Sequence, residues 1–267
     1  MAPRVLARGC FTIRAVAGEP CSINTLPDPY ARIFLLSHMR AYTSLAGHIL
    51  GSHPQINGYY EMHLSYESPS ALNRQLALFL EGDALKPASR YLFDKLLHND
   101  YRLRPERLGL ADIRILLSLA EPEHTIKSIV HLFAQKPDPD LYASPVAAAD
   151  YYVARVRALA EFCRATEWPY HYFDAELLLR APEQLLPRLT KWLELDSPLS
   201  ERYQTFSQTG KAGRGDTSPR IHRGSVDRAR SDYAHVTIPK AALSAAQEAY
   251  GACREEMIAN AADSILS

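Results

Sequence analysis

Short apolar runs alternate with longer segments of helical periodicity along this chain. Residues 32–37 are rich in branched and aromatic side chains and follow a Pro-Asp-Pro turn, so they predict a buried strand. From residue 43 to residue 50 the apolar positions share one helical face, and Gly51-Ser52-His53-Pro54 marks the end of that helix. The first unit is therefore predicted as strand, loop and helix.

The same alternation continues to the end of the chain. Strands are predicted over residues 111–119 and 170–173, and helices after Pro122, over 146–163, after Pro182 and over 241–258. Strands that alternate with helices of this length are typical of α/β layer folds with a parallel sheet. We therefore predict an α/β fold with a central parallel sheet flanked by helices, forming a single domain over residues 1–267. Residues 1–30 are interpreted as an extended N-terminus, with a targeting segment as the alternative, and residues 207–232 as a long loop.

Charge and composition limit the classes of partner and ligand that the chain is expected to bind. Thirty basic and thirty acidic residues cancel, which disfavours attraction to nucleic acid or an anionic membrane. No apolar run approaches the roughly 18 residues that cross a bilayer, so no membrane span is expected. The four cysteines are widely spaced, which favours reduced thiols and a cytoplasmic location. The ten histidines form no zinc motif, so no metal site is predicted.

The turn between the first strand and the first helix carries the sharpest candidate chemistry. A helix N-terminus offers unpaired N–H groups and a favourable dipole to a phosphate. Here Arg40 adds a guanidinium, and Thr43 and Ser44 add hydroxyl donors. The alternative is that Thr43 or Ser44 merely caps the helix. A Walker-type loop is disfavoured, because no G-x-x-x-x-G-K-[ST] occurs in the chain.

Residues 33–61 contain Arg40, the Thr43-Ser44 pair, Ser52-His53-Pro54 and Glu61, and this segment resembles the 5′-phosphosulfate loop region of sulfotransferases. That family uses 3′-phosphoadenosine-5′-phosphosulfate (PAPS) as its donor. Its usual loop reads Pro-Arg-Ser-Gly-Thr-Thr, whereas this chain has Met39, Ala41 and Tyr42 at the positions of Pro, Ser and Gly. The resemblance implies a P-loop NTPase-like sulfotransferase architecture. It also implies that the 5′-phosphosulfate contacts Arg40, Ala41, Tyr42, Thr43 and Ser44.

Two later segments extend the resemblance. Residues 116–128 are similar to the family's 3′-phosphate segment, with Pro122 and Ser128 matching and Ala120 standing where the family has an arginine. Lys127 or a basic residue of the late loop is the candidate to replace that arginine. Residues 209–216 are similar to the Lys-Gly-rich segment that folds over the donor's 3′-phosphate, whereas the alternative is a plain connection. The implied contacts in this segment are Lys211, Gly213, Arg214 and Gly215.

Sulfuryl transfer needs an aligned acceptor oxygen, a base, and positive groups near the transferred group. Glu61 follows Arg40 by 21 positions, where the similar enzymes of tyrosine sulfation place a catalytic glutamate, so it is the preferred base. His63 is the alternative base, because imidazole titrates near neutral pH. Either residue is otherwise an exposed polar group on a loop. Lys95 resembles the family lysine that touches the sulfuryl group in some members, with a surface lysine on a helix as the alternative.

The resemblance implies a PAPS-dependent sulfotransferase that modifies a hydroxyl of a small organic or lipid acceptor and releases adenosine 3′,5′-bisphosphate. We expect the acceptor site between residues 59–66 and a helical insert over residues 72–97. Two alternatives stay open: a nucleotide-binding protein that has this fold without sulfuryl transfer, and a P-loop-like kinase.

Overall fold

The computed structural model describes residues 30–138, 140–211, 218–229 and 231–267. Within them lies a six-stranded sheet in the order β2-β3-β1-β4-β5-β6, and every neighbouring pair is parallel. Its strands are β1 (Ala31–Leu36), β2 (Ile56–Asn57), β3 (Tyr91–Leu96), β4 (Ile113–Leu119), β5 (Tyr170–Asp174) and β6 (Asp263–Ile265). The predicted α/β class with a parallel sheet is confirmed.

The described α-helices are α1 (Thr43–Ser52), α2 (Pro69–Gly82), α3 (Pro122–Ala134), α4 (Pro145–Ala165), α5 (Leu177–Arg180), α6 (Pro182–Trp192) and α7 (Lys240–Ala259). Proline opens α2, α3, α4 and α6, where its missing N–H removes no helical hydrogen bond. Short 3₁₀ helices cover Pro105–Arg107, Leu141–Ala143 and Pro219–Arg223. In this part of the chain, no helix combines the length and the apolar character that a bilayer crossing requires.

Strand β1 is buried on both of its faces. Ile33 and Leu35 point to a core layer shared with α1 and α6, whereas Phe34 and Leu36 point to the layer under α3, α4 and α7. Because alternate side chains of a strand face opposite sides, a continuous apolar run is what a central parallel strand requires.

The order of the strands places a crevice at the end of β1. From β1 the chain passes to β2 and β3 on one side of the sheet, and it then crosses to β4 on the other side. Ligands of open α/β sheets bind at such a switch, beyond the carboxyl ends of the strands. Arg155 of α4 fixes this edge, because it donates to the carbonyls of Ser37 at 2.8 Å and Leu96 at 2.6 Å.

The expected helical insert over residues 72–97 is wrong in its second half. Helix α2 ends at Gly82, and residues 91–96 form β3, which pairs with β1 in the middle of the sheet. Asp94 and Lys95 interrupt the apolar run and hide the strand from a periodicity argument, since charged residues are rarely buried unless they are paired. The described part of the long loop over residues 207–232 contains the 3₁₀ helix Pro219–Arg223 and is otherwise irregular.

Candidate functional site

The loop between β1 and α1 is strained where the resemblance places the phosphosulfate. Arg40 and Tyr42, on either side of Ala41, have φ values of 63° and 56°. A left-handed backbone costs a non-glycine residue about 1–2 kcal/mol. Tyr42 stands at the family's glycine position and keeps the conformation that favours glycine. Turns of this kind direct backbone N–H groups into anion-binding concavities, and α1 begins directly after this one.

The hydroxyls at the start of α1 are not side-chain caps. The N-cap position is Tyr42, which makes no side-chain cap hydrogen bond. Ser44 Oγ instead accepts a hydrogen bond from Lys95 Nζ at 3.3 Å. The capping alternative for Thr43 or Ser44 is therefore wrong.

Lys95 lies on a buried strand, so its interpretation as a surface lysine on a helix is wrong as well. Only 1% of Lys95 is exposed, and β3 delivers its ammonium group to the first turn of α1. A charge away from water interacts more strongly with other charges than a solvated one does. The loop thus has a cation beneath it that water screens poorly.

A chain of hydrogen bonds joins this loop to α3. Arg40 Nε donates to Ser128 Oγ at 2.9 Å, and Ser128 Oγ lies 3.1 Å from the hydroxyl oxygen of Tyr233. Tyr233 precedes α7 and was not predicted as a site residue. Burial raises the pKa of Tyr233, but hydrogen bonds with Ser128 and Ser231 and the nearby Arg40 charge outweigh burial, so the net shift is downward.

These groups line a cavity of about 480 Å³ between the loop, α3 and residues 218–229 and 231–233. Five residues predicted to bind the donor are among its walls: Arg40, Tyr42, Thr43, Ser44 and Ser128. The cavity is within the usual size range of small-molecule sites, ~300–1,000 Å³. It combines polar groups with an apolar wall that includes Leu45, Leu179, Tyr203 and Ile221.

Ala120, at the position of the family arginine, does not reach the cavity. It is 2% exposed, and its N–H donates to His38 Nε2 at 3.0 Å while its carbonyl accepts from the Tyr152 hydroxyl at 2.7 Å. Ala120 belongs to a small buried cluster with Ala41 and Ala175, against which Tyr42 packs.

Lys127 does not replace the missing arginine in this structure. Its ammonium pairs with Glu123 at 2.7 Å on the surface of α3. Arg220 of the late loop does line the cavity, whereas Lys211 is exposed and is not part of the lining. The predicted contacts Gly213, Arg214 and Gly215 lie outside the described residues.

Glu61 is buried, so its interpretation as an exposed loop residue is wrong. It is 6% exposed, and its Oε1 has no hydrogen-bond partner. Two imidazoles face this oxygen, His63 Nδ1 at 3.8 Å and His98 Nε2 at 4.0 Å. Burial lowers the pKa of His98, although the Glu61 charge opposes that shift. His98 was missed in the sequence because only β3 brings it to Glu61.

Asp94 fixes the segment that carries Glu61. The Met62 N–H donates to Asp94 Oδ1 at 3.0 Å, and the Tyr66 hydroxyl donates to Oδ2 at 2.6 Å. Burial raises the pKa of Asp94 to about 7, although these hydrogen bonds act in the opposite direction. Glu61 is thereby tied to the strand that carries Lys95, while neither residue lines the cavity.

Tyr151 connects the two halves of the site. Its hydroxyl donates to the carbonyl of Leu97 at 2.7 Å, beyond β3, and accepts from the Met39 N–H at 2.9 Å, within the loop.

Four non-glycine residues in the described ranges have positive φ: Arg40, Tyr42, His63 and Glu194. Three of the four are predicted site residues. Strained backbone clusters at functional sites, which supports this location. In the described ranges, no three His, Cys, Asp or Glu side chains form a group that could hold a metal ion.

No protein-family model and no curated protein matches this sequence. Solved structures do match. The sulfotransferase domain from the curacin biosynthetic pathway superposes with a TM-score of 0.58 at 18% identity, over 85% of this chain and 98% of that domain. The sulfotransferase domain from the Synechococcus PCC 7002 olefin synthase gives a TM-score of 0.56 at 18% identity, over 84% of this chain and 97% of that domain. The chain thus has the fold of these sulfotransferase domains, as its sequence predicts.

Proposed function

We propose that this chain transfers the sulfuryl group of PAPS to a hydroxyl of a small organic or lipid acceptor. The hydrogen bond from Arg40 to Ser128 carries the proposal. It joins the loop that resembles a 5′-phosphosulfate site to the helix that resembles a 3′-phosphate site, across one cavity. A ligand with negative groups at both positions would make use of both.

In this proposal the loop residues Arg40, Ala41, Tyr42, Thr43 and Ser44 surround the 5′-phosphosulfate. Ser128, Lys211 and residues 213–215 hold the 3′-phosphate, and the apolar wall receives the adenosine. Arg40 supplies a fork of donors that suits phosphate oxygens. The helix dipole of α1 adds a partial positive charge at the same end.

The chemistry requires one bond to form and one to break. The acceptor oxygen attacks the sulfur, the bond from sulfur to the bridging phosphate oxygen breaks, and adenosine 3′,5′-bisphosphate leaves with the electron pair. Glu61 takes the proton of the acceptor hydroxyl, with His63 as the alternative base. Lys95, buried beneath the loop, stabilises the negative charge that develops on the bridging oxygen.

Isothermal titration with adenosine 3′,5′-bisphosphate and with AMP tests the donor assignment. We expect the bisphosphate to bind at least about tenfold more tightly, because AMP leaves the groups around Ser128 without their phosphate. Arg40→Ala should abolish this preference. Arg164→Ala is the matched control, because Arg164 pairs with Glu256 on the surface. Equal affinity for the two ligands, or no binding of either, contradicts the proposal.

One observation favours a second candidate, a nucleotide-binding protein without transfer: the strand-end arginine is replaced by the buried Ala120. Incubation with ³⁵S-labelled PAPS and a panel of phenols and alcohols separates the two functions. Labelled acceptor supports transfer. Tight bisphosphate binding without labelled product or sulfate release from any member of the panel supports the binding protein.

A further inference from the structure

The end of β4 is sealed off from the cavity in this chain. Ala120 is 2% exposed, and both its backbone N–H and its carbonyl are hydrogen-bonded inside the protein. Tyr42 packs against the alanine cluster that contains Ala120, and Tyr42 itself lines the cavity. The tyrosine thus lies between this strand end and the ligand space.

The hydroxyl of Tyr233, on another wall of the cavity, lies beside Ser128. The hydroxyl oxygen of Tyr233 is 3.1 Å from Ser128 Oγ, which in turn accepts a hydrogen bond from Arg40. The Tyr233 ring contacts two imidazoles of α3, His124 and His131, each with a centroid separation of 5.1 Å. Tyr233 is only 9% exposed, so its hydroxyl is held in a fixed place.

We propose that Tyr233 is a phosphate-binding residue that replaces the missing strand-end arginine. Tyr42 fills the space through which an arginine side chain at position 120 would extend into the cavity. The inference rests on the proposed function, because the phosphate concerned is the 3′-phosphate of the donor. A phenol can donate a hydrogen bond to a phosphate oxygen, and Arg40 supplies the positive charge that Ala120 lacks. Arg40 and Tyr233 both lie within hydrogen-bond distance of Ser128 Oγ.

The first test compares Tyr233→Phe with the wild type in titrations with adenosine 3′,5′-bisphosphate and AMP. Removing one hydrogen bond to a charged group should weaken bisphosphate binding by about tenfold or more and leave AMP binding within about twofold. Tyr250→Phe is the matched control, since Tyr250 lies on α7 and does not line the cavity. An unchanged bisphosphate preference in Tyr233→Phe overturns the assignment of Tyr233.

The second test restores the family arrangement in the Tyr233→Phe background. Adding Ala120→Arg together with Tyr42→Gly should recover at least half of the lost preference, on a logarithmic scale. Ala120→Arg with Tyr42 intact should recover none of the preference for the bisphosphate over AMP, because Tyr42 blocks the arginine side chain from the cavity. Equal recovery with Tyr42 present overturns the role of Tyr42. Circular dichroism melting identifies a variant that fails to fold, in which case the titrations of Tyr233→Phe and its control Tyr250→Phe decide the proposal.

These titrations also separate failure of the inference from failure of the proposed function. If the wild type shows no preference for the bisphosphate, the donor assignment fails. If the wild type shows the preference and Tyr233→Phe keeps it, the donor assignment stands and the inference fails.

Discussion

On one side of the β1–α1 loop, Arg40, Ser128 and Tyr233 form a chain of hydrogen bonds beside an open cavity. On the other side, Glu61 is buried and its Oε1 is bound to no donor. Polar groups that are hydrogen-bonded to one another cost little free energy in the unliganded protein. A buried carboxylate oxygen without a hydrogen bond, in contrast, carries a free-energy cost. The difference distinguishes a side suited to binding from a side suited to reaction.

The two sides also differ in how they are held. The binding side depends on side chains from distant segments, α3 and the residues before α7. The reactive side is fixed through backbone groups, since Asp94 accepts from the Met62 N–H and Gly47 lets α1 approach the backbone of Tyr59. Changes that disturb one side and spare the other test whether this division is real.

The largest effect is expected on the reactive side. Glu61→Gln keeps the size of the side chain and removes the base, so the rate of transfer should fall by about 10²–10⁴-fold while bisphosphate affinity stays within about twofold. ³⁵S transfer from PAPS and titration calorimetry measure the two quantities. His63→Gln should lower the rate by less than about tenfold. If His63→Gln has the larger effect, His63 is the base and the assignment of Glu61 fails.

A methyl group at Gly47 should disturb the support of the reactive side. Its Cβ would lie 2.2 Å from the carbonyl oxygen of Tyr59, a backbone atom that cannot easily move. We expect Gly47→Ala to lower the free energy of unfolding by about 3 kcal/mol, measured by urea denaturation.

Gly251→Ala is the matched control for Gly47→Ala. This glycine also lies inside a helix, α7, but a Cβ there would meet no atom within 4 Å. The substitution should raise the free energy of unfolding by about 0.5–1 kcal/mol, because alanine favours the helix. Similar effects at the two sites would show that the contact between α1 and Tyr59 is not tight.

His38 links the loop to the end of β4, and its titration should weaken that link in acid. Burial lowers the pKa of His38 from 6.5 to about 4, and the nearby Arg155 charge adds to the shift. Because the pKa is lower in the folded state, the contribution of His38 to stability is complete above the unfolded value of 6.5 and is lost as the pH falls toward 4.

Urea denaturation of the wild type and of His38→Asn at about pH 7.5 and about pH 5 measures this contribution, because the pH-dependent change in stability should differ by about 2 kcal/mol between the two proteins. The His38→Asn variant cannot titrate there and should lose less stability than the wild type over the same interval. Asp94, whose pKa burial raises to about 7, titrates in both proteins and cancels in the comparison. Identical pH dependence in the two proteins would contradict the burial of a neutral His38.

The fold could be predicted from the sequence largely because its strands and helices are locally encoded. Apolar runs such as residues 32–37 and helical periodicity such as residues 146–163 need no long-range information. Strand β3 was missed because Asp94 and Lys95 make it look amphipathic, and only its partners explain their burial: Tyr66 for Asp94, and Ser44 for Lys95.

The residues of the site also divide into those that the sequence could predict and those that only the structure reveals. Arg40, Ser44 and Glu61 stand near one another in sequence and match a family pattern, so they could be proposed without a structure. Tyr233 lies 105 positions after Ser128 and carries no motif, and His98 approaches Glu61 only because β3 places it there. Hydrophobic periodicity is a local pattern and does not predict such long-range contacts. The replacement of glycine by Tyr42 likewise has meaning only once the cluster around Ala120 is seen.

The smallest effect is expected at Lys127, and it sharpens the account of the binding side. From sequence, Lys127 is a candidate to compensate for Ala120, but its ammonium pairs with Glu123 on the surface of α3. Lys127→Ala should change bisphosphate affinity by less than about twofold and stability by less than about 0.5 kcal/mol, because exposed pairs contribute little. Titration calorimetry in low salt, where a distant charge would act most strongly, gives this expectation its hardest test. A loss as large as that in Tyr233→Phe would mean that Lys127 turns inward when the phosphate binds, and the binding side would then not be pre-formed.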